Sequence, residues 1–154
     1  AYIEKPFSVQ YLEACINNLV SLRAMLRNKY STSPLMPLTS VANNNTDTNF
    51  LKNMTDIIEA HFSDSNLSVD FLTEQMGISR SSLYNKIKVL TDKTPNELIQ
   101  LMRLKKAAQL LRENKYRINE ICYMVGFNNP SYFSKCFYKQ FGMKPGEFAA
   151  QSGE

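Results

Sequence analysis

An internal repeat constrains this chain more than any other feature of its sequence. Val69, Leu72, Met76, Gly77 and Ile78 recur 49 residues later as Ile118, Ile121, Val125, Gly126 and Phe127. After one inserted residue the offset becomes 50, and Leu83, Ile87, Thr94-Pro95 and Leu98 recur as Phe133, Phe137, Lys144-Pro145 and Phe148. Each copy reads as a short helix, a glycine-containing turn, a second helix and an x-Pro helix start. The tight turn needs positive φ, which a residue without Cβ accepts cheaply.

The flanking pattern is helical as well. Phe50-Leu51, Met54, Ile57-Ile58 and His61-Phe62 follow the i, i+3/4, i+7 spacing of one helix face, with Thr48 or Asn49 as the expected cap. Ser68 and Ser79 cap the two helices of the first copy, and Gly77 ends the earlier one. Thr94-Pro95 with Glu97 opens a long helix through Leu98, Met102, Leu104, Ala107-Ala108 and Leu110-Leu111. No alternating strand pattern competes in this region. Residues 28–49 are rich in Asn, Ser, Thr and Pro without apolar periodicity, and are expected to be a flexible linker. The expected organisation is a short piece over 1–27, a linker over 28–49 and an all-α domain over 50–154. Within that domain, two helix-turn-helix units (about 68–90 and about 119–141) flank a joining helix at about 95–114.

A helix-turn-helix stands its second helix proud of the body, free to enter a major groove. In the first copy, Ser79–Leu90 turns Leu83, Ile87 and Leu90 inward and leaves Arg80, Ser81, Tyr84, Asn85 and Lys88 outside. In the second, Pro130–Gln140 turns Tyr132 or Phe133, Cys136 and Phe137 inward. Its outward residues are Ser131, Ser134, Lys135, Tyr138 and Lys139. These are hydrogen-bonding and cationic groups suited to base edges and phosphates. Charge points the same way. Phe50–Ser79 has one base against five acids, whereas Arg80–Lys144 has thirteen bases against four acids. A block that basic suits a polyanion, because each neutralised phosphate releases counterions.

Groups for enzymatic chemistry are sparse. The one histidine, His61, sits on an apolar helix face, where a core or cap role is expected. No phosphate-binding glycine loop, nucleophile elbow or metal-ligand cluster occurs, so no catalytic residue, metal or cofactor is expected. Cys15, Cys122 and Cys136 form no C-x-x-C pair and read as reduced thiols, with Cys122 and Cys136 as small buried hydrophobes. The bulk of the Tyr and Phe content, eight Tyr and nine Phe, is assigned to the core, since no strand platform presents it to single-stranded nucleic acid. No apolar run is long enough to span a bilayer, and no basic-then-apolar leader opens the chain, so a cytoplasmic location is expected.

Ile118–Phe148 closely resembles the signature of AraC/XylS-type transcription regulators. The matching residues are Ile121, Val125-Gly126-Phe127, Ser131-Tyr132-Phe133-Ser134-Lys135, Phe137-Tyr138-Lys139, Phe141-Gly142 and Pro145. The segment from Ser68 to Ile99 is similar to the first half of that family's domain. The resemblance implies two helix-turn-helix units on one long helix, facing successive major grooves of double-stranded DNA. Carried over by position, it implies base reading by Ser81, Tyr84, Asn85, Pro130, Ser131, Ser134 and Lys135. Pro130 would offer shape or apolar contact, and Ser81 is small for a reader. Arg80, Lys88, Lys139 and the amides opening each recognition helix would meet phosphates.

Ala1–Phe7 (AYIEKPF) followed by an amphipathic helix over Ser8–Arg27 resembles the end of a response-regulator receiver domain. That implies a strand delivering Lys5 beside a phosphoacceptor aspartate that lies upstream of residue 1. A hybrid two-component parent is the expectation, with the receiver domain, RNA polymerase and a second copy of the chain as candidate partners. The competing expectation is a helical protein-interaction module with only non-specific affinity for DNA.

Overall fold

The structure, a computed structural model, describes residues 8–153, and among these every regular element is helical. The strand expected within Ala1–Phe7 and the role expected of Lys5 lie outside the described residues. Helix α1 spans Val9–Thr32, with Ser8 Oγ accepting from the Tyr11 amide at 3.1 Å. A short 3₁₀ turn over Leu38–Val41 leads to α2 (Asn45–Ala60). The first repeat follows as α3 (Val69–Met76) and α4 (Arg80–Thr91), then α5 covers Pro95–Glu113. The second repeat is α6 (Ile118–Met124) and α7 (Pro130–Phe141), closed by α8 (Pro145–Ser152).

Local chemistry sets most of these limits. Ser68 Oγ accepts from the Phe71 amide, and Gly77 ends α3 in the left-handed region at φ 63°. Thr94 and Glu97 form a reciprocal capping box: the Thr94 amide donates to Glu97 Oε2 at 2.8 Å and the Glu97 amide to Thr94 Oγ1 at 3.3 Å. Asp92 and Asn114 end α4 and α5 at positive φ without glycine, a conformation short polar side chains tolerate.

Helix α5 holds the two halves together. Leu98, Ile99, Leu101 and Met102 join the first core with α2, α3 and α4, while Leu104, Ala107, Ala108, Leu110 and Leu111 join the second with α6, α7 and α8. Ten of its nineteen residues are buried, so it carries apolar residues on most of its circumference rather than on one stripe. The second core is aromatic: Phe133 stacks edge-on with Phe127 at 5.3 Å, and Phe137 with Phe141 at 4.9 Å and Phe148 at 5.7 Å. Leu83, Ile87 and Leu98 do the equivalent work in the first core.

Residues 28–49 differ from the expected linker. They contain the end of α1, the 3₁₀ turn and the start of α2, with Tyr30, Leu38 and Val41 buried. Three anchors scattered through a polar segment show no helical or strand period, which is why the pattern concealed them. Helix α2 also begins earlier than expected. Its cap is Asn44, whose Oδ1 accepts from the Asp47 amide at 2.8 Å, rather than Thr48 or Asn49.

Candidate nucleic-acid interface

The second helix of each repeat, α4 and α7, presents the residues singled out by the sequence. On α4, Leu83, Ile87 and Leu90 are buried, while Ser81, Asn85, Arg80 and Lys88 are exposed. Tyr84 is half-buried against the first core, with the Arg80 guanidinium 5.7 Å from its ring centroid. On α7, Phe133 and Phe137 are fully buried, and Ser131, Lys135 and Lys139 are exposed. Pro130, the first residue of the helix, and Ser134 are half-buried. Of the two inward alternatives, Phe133 takes the core and Tyr132 stands 55% exposed. Tyr138 is also exposed, as expected, and Cys136 is half-buried, where Gln100 Nε2 donates to its Sγ at 3.1 Å.

The cations on α4 are not idle. Arg80 Nη1 meets Asp70 Oδ1 at 2.6 Å, and Lys88 Nζ meets Asp92 Oδ1 at 3.2 Å. Tyr84, followed by Asp70, pushes the Arg80 guanidinium pKa further up. Each of these pairs is exposed, so a phosphate can replace the carboxylate at little cost.

The amides opening the two helices differ from what the sequence led us to expect. In α7, Pro130 has no N–H, and Asn129 Oδ1 accepts from both the Ser131 and Tyr132 amides, at 2.9 and 3.1 Å. The α7 cap therefore consumes the donors that were expected to meet a phosphate. In α4, Ser79 Oγ takes only the Ser82 amide, at 3.1 Å. The Arg80 and Ser81 amides have no protein partner among the described residues, so this end keeps its anion-binding donors.

One residue was missed. Lys93, in the turn between α4 and α5, lines a cleft of about 500 Å³ together with Lys135 and Lys139 of α7. It lies outside both recognition helices, so no helical pattern could single it out. The cleft sits between the two repeats, with Gln100, Leu101 and Leu104 of α5 in its floor.

Other groups have structural roles. His61 Nδ1 donates to the Ile57 carbonyl at 2.8 Å at the end of α2, and its ring meets Phe71 edge-on at 4.8 Å. Cys122 is fully buried, which pushes its thiol pKa up. Among the described residues no His, Cys, Asp and Glu cluster could hold a metal ion, and no helix is long and apolar enough to cross a membrane.

A helix-turn-helix domain family matches residues 72–151, more than half of the chain. An AraC-type DNA-binding-domain regulator from Chromobacterium violaceum superposes with a TM-score of 0.66 at 27% identity, covering 72% of this chain and 98% of that one. The chain belongs to the AraC-type helix-turn-helix family. The C-terminal domain of AraT, a response regulator from Geobacillus stearothermophilus, is also similar, with a TM-score of 0.57 at 27% identity over 76% of this chain and 87% of that one. In sequence, histidine kinase P4 from Formosa agariphila is 39% identical over 153 residues, 99% of this chain. The transcriptional activator RhaS from Shigella boydii is 32% identical over 88 residues, 57% of this chain. The chain spans 11% of the kinase's length and 31% of the activator's. As an AraC-type domain, it holds its paired helix-turn-helix units on α5.

Proposed function

We propose that the chain reads operator DNA sequence-specifically, with α4 and α7 in successive major grooves, as the output domain of a two-component signalling protein. The observation carrying the first half is the paired presentation of α4 and α7 by α5. Each helix buries an apolar stripe and offers polar or cationic residues on the opposite side. In this reading Ser81, Tyr84, Asn85, Ser131, Ser134 and Lys135 meet base edges, and Pro130 contributes shape. Arg80, Lys88, Lys139 and Lys93 meet phosphates, with the Arg80 and Ser81 amides beside them.

Two likenesses support the signalling half: one to a histidine kinase along nearly the whole chain, the other to the C-terminal domain of a response regulator. Helix α1 exposes Val9, Ile16, Leu19 and Val20, an apolar surface that the rest of a receiver domain, with α1 as its last helix, would cover. RNA polymerase and a second copy of the chain are further proposed partners, and the cytoplasm is the compartment in which such a reader would meet its operator.

Selection from a randomised duplex library at roughly physiological salt, followed by footprinting, tests the reading. Enrichment of one sequence protected over two adjacent major grooves is expected. Salt-sensitive binding without enrichment would instead favour a helical interaction module that tolerates DNA electrostatically.

A further inference from the structure

Reading two grooves at once requires that the recognition helices keep a fixed separation and tilt. Helix α5 supplies one connection. The end of α1 supplies a second, built entirely from side chains bonded to backbone carbonyls. From α1, the Arg27 guanidinium donates to the Val89 and Leu90 carbonyls at the end of α4, with Nε 3.2 Å from the Leu90 oxygen. Gln140, in the last turn of α7, donates through Nε2 to the Ser31 carbonyl. Between them, Lys105 Nζ of α5 donates to the carbonyls of Tyr30, Ser33 and Met36 at 2.5, 2.6 and 3.0 Å, and lies 3.9 Å from the centroid of the Tyr30 ring.

This chemistry suits the place. The last turn of a helix leaves carbonyls without amide partners and carries the negative end of the helix dipole. An ammonium held by the Tyr30 and Ser33 carbonyls at this end, by the Met36 carbonyl just beyond it and by an aromatic face makes charge-assisted bonds stronger than neutral ones. Tyr30, 1% exposed, plugs the same junction. Side chains of α1, α5 and α7 thus tie residues 27–36 to the C-terminal ends of both recognition helices and to the helix between them.

We propose that Lys105, with Arg27 and Gln140, positions the two recognition helices through the end of α1. The spacing of operator half-contacts that this protein accepts is then set by side chains that never meet DNA. The proposal rests on α4 and α7 being the paired DNA readers. It also makes the end of α1 the route by which a displacement of α1 alters DNA binding.

The test uses the best duplex recovered from a randomised library, remade with one base pair inserted or deleted between the two protected grooves. Wild-type protein should lose about tenfold or more in affinity on the altered spacers, since a rigid pair cannot follow a misplaced site. Lys105→Met should bind the original duplex several-fold more weakly and show a spacer penalty of less than about threefold. Lys105→Arg, which keeps a donor cation, should restore most of the penalty. The salt dependence of Lys105→Met should match wild type, whereas loss of a phosphate contact would lower the slope by about one. Should Lys105→Met fold poorly by circular dichroism, Gln140→Leu leaves both cores intact and should flatten the spacer profile in the same direction. A well-folded variant with an unchanged spacer penalty overturns the proposal. A wild-type protein indifferent to spacing would remove the two-groove reading itself, a different failure visible before any variant is made.

Discussion

Arg80 Nη1 lies 2.6 Å from Asp70 Oδ1, so the cation at the start of the first recognition helix is held by a carboxylate of the preceding helix. Both side chains are exposed, at 58% and 79%, so water and salt screen the pair and a phosphate can compete for Arg80. Asp70→Asn removes the competitor and one charge that repels DNA. Affinity for any duplex should rise by roughly two- to tenfold, with a salt slope steeper by up to about one. Titration at several salt concentrations measures both. Weaker binding would show that Asp70 aims Arg80 rather than restraining it.

Asn85 and Lys135 are exposed on α4 and α7. Asn85→Ala and Lys135→Ala should each relax preference at one position, by about 1–3 kcal/mol of discrimination. Lys139→Ala and Lys93→Ala should weaken all sequences alike. Competition between the selected duplex and its single-base variants separates the two behaviours. Uniform weakening by Asn85→Ala would remove it from the base readers.

The two turn glycines are not equivalent, although the repeat aligns them. At Gly126 (φ +91°) an added Cβ would come within 2.2 Å of the Phe62 carbonyl oxygen and 3.0 Å of the Arg103 guanidinium. At Gly77 (φ +63°) it would meet nothing within 4 Å. Gly77→Ala should cost only the left-handed backbone penalty, about 1 kcal/mol. Gly126→Ala must also displace backbone and should cost more than about 3 kcal/mol. Urea unfolding of the two variants checks the difference, and equal midpoints would refute it.

Burial, followed by the neighbouring charge of Lys93, lowers the Lys105 pKa to about 8. In the unfolded chain that ammonium keeps its proton up to an ordinary value of about 10.5. Between these two values the unfolded state binds more protons, so stability should rise with pH from about 8 towards 10. Burial raises the Tyr30 pKa, so above pH 10 or so its phenol ionises first in the unfolded chain and stability should fall again. Lys105→Met should remove the rising limb and Tyr30→Phe the falling one, in urea midpoints across that range. A profile flat from pH 8 to 10 would show that the three carbonyls keep Lys105 charged to its ordinary value.

Much of the candidate interface was legible because each signal is local. The polar sides of α4 and α7 follow from where Leu83, Ile87, Phe133 and Phe137 must turn, and those four are fully buried. A competing local signal reverses one expectation: Asn129 ahead of Pro130 caps α7 with its own side chain and takes the amides expected to serve a phosphate. The pairings of Arg80 with Asp70 and of Lys93 with the α7 lysines join residues 10 or more positions apart, and no helical period relates them.

The sequence alone determined the all-helical character, the duplication and the inward face of each repeat, because hydrophobic period, caps and glycine turns act over a few residues. Tertiary structure alone decided what becomes of residues 28–49. Their composition offers no periodic apolar face, yet Tyr30, Leu38 and Val41 find burial against helices distant in sequence, and Lys105 of α5 gathers the carbonyls of Tyr30, Ser33 and Met36. A cation satisfying backbone oxygens some 70 residues away leaves no pattern in the chain. It exists only once the helices have packed.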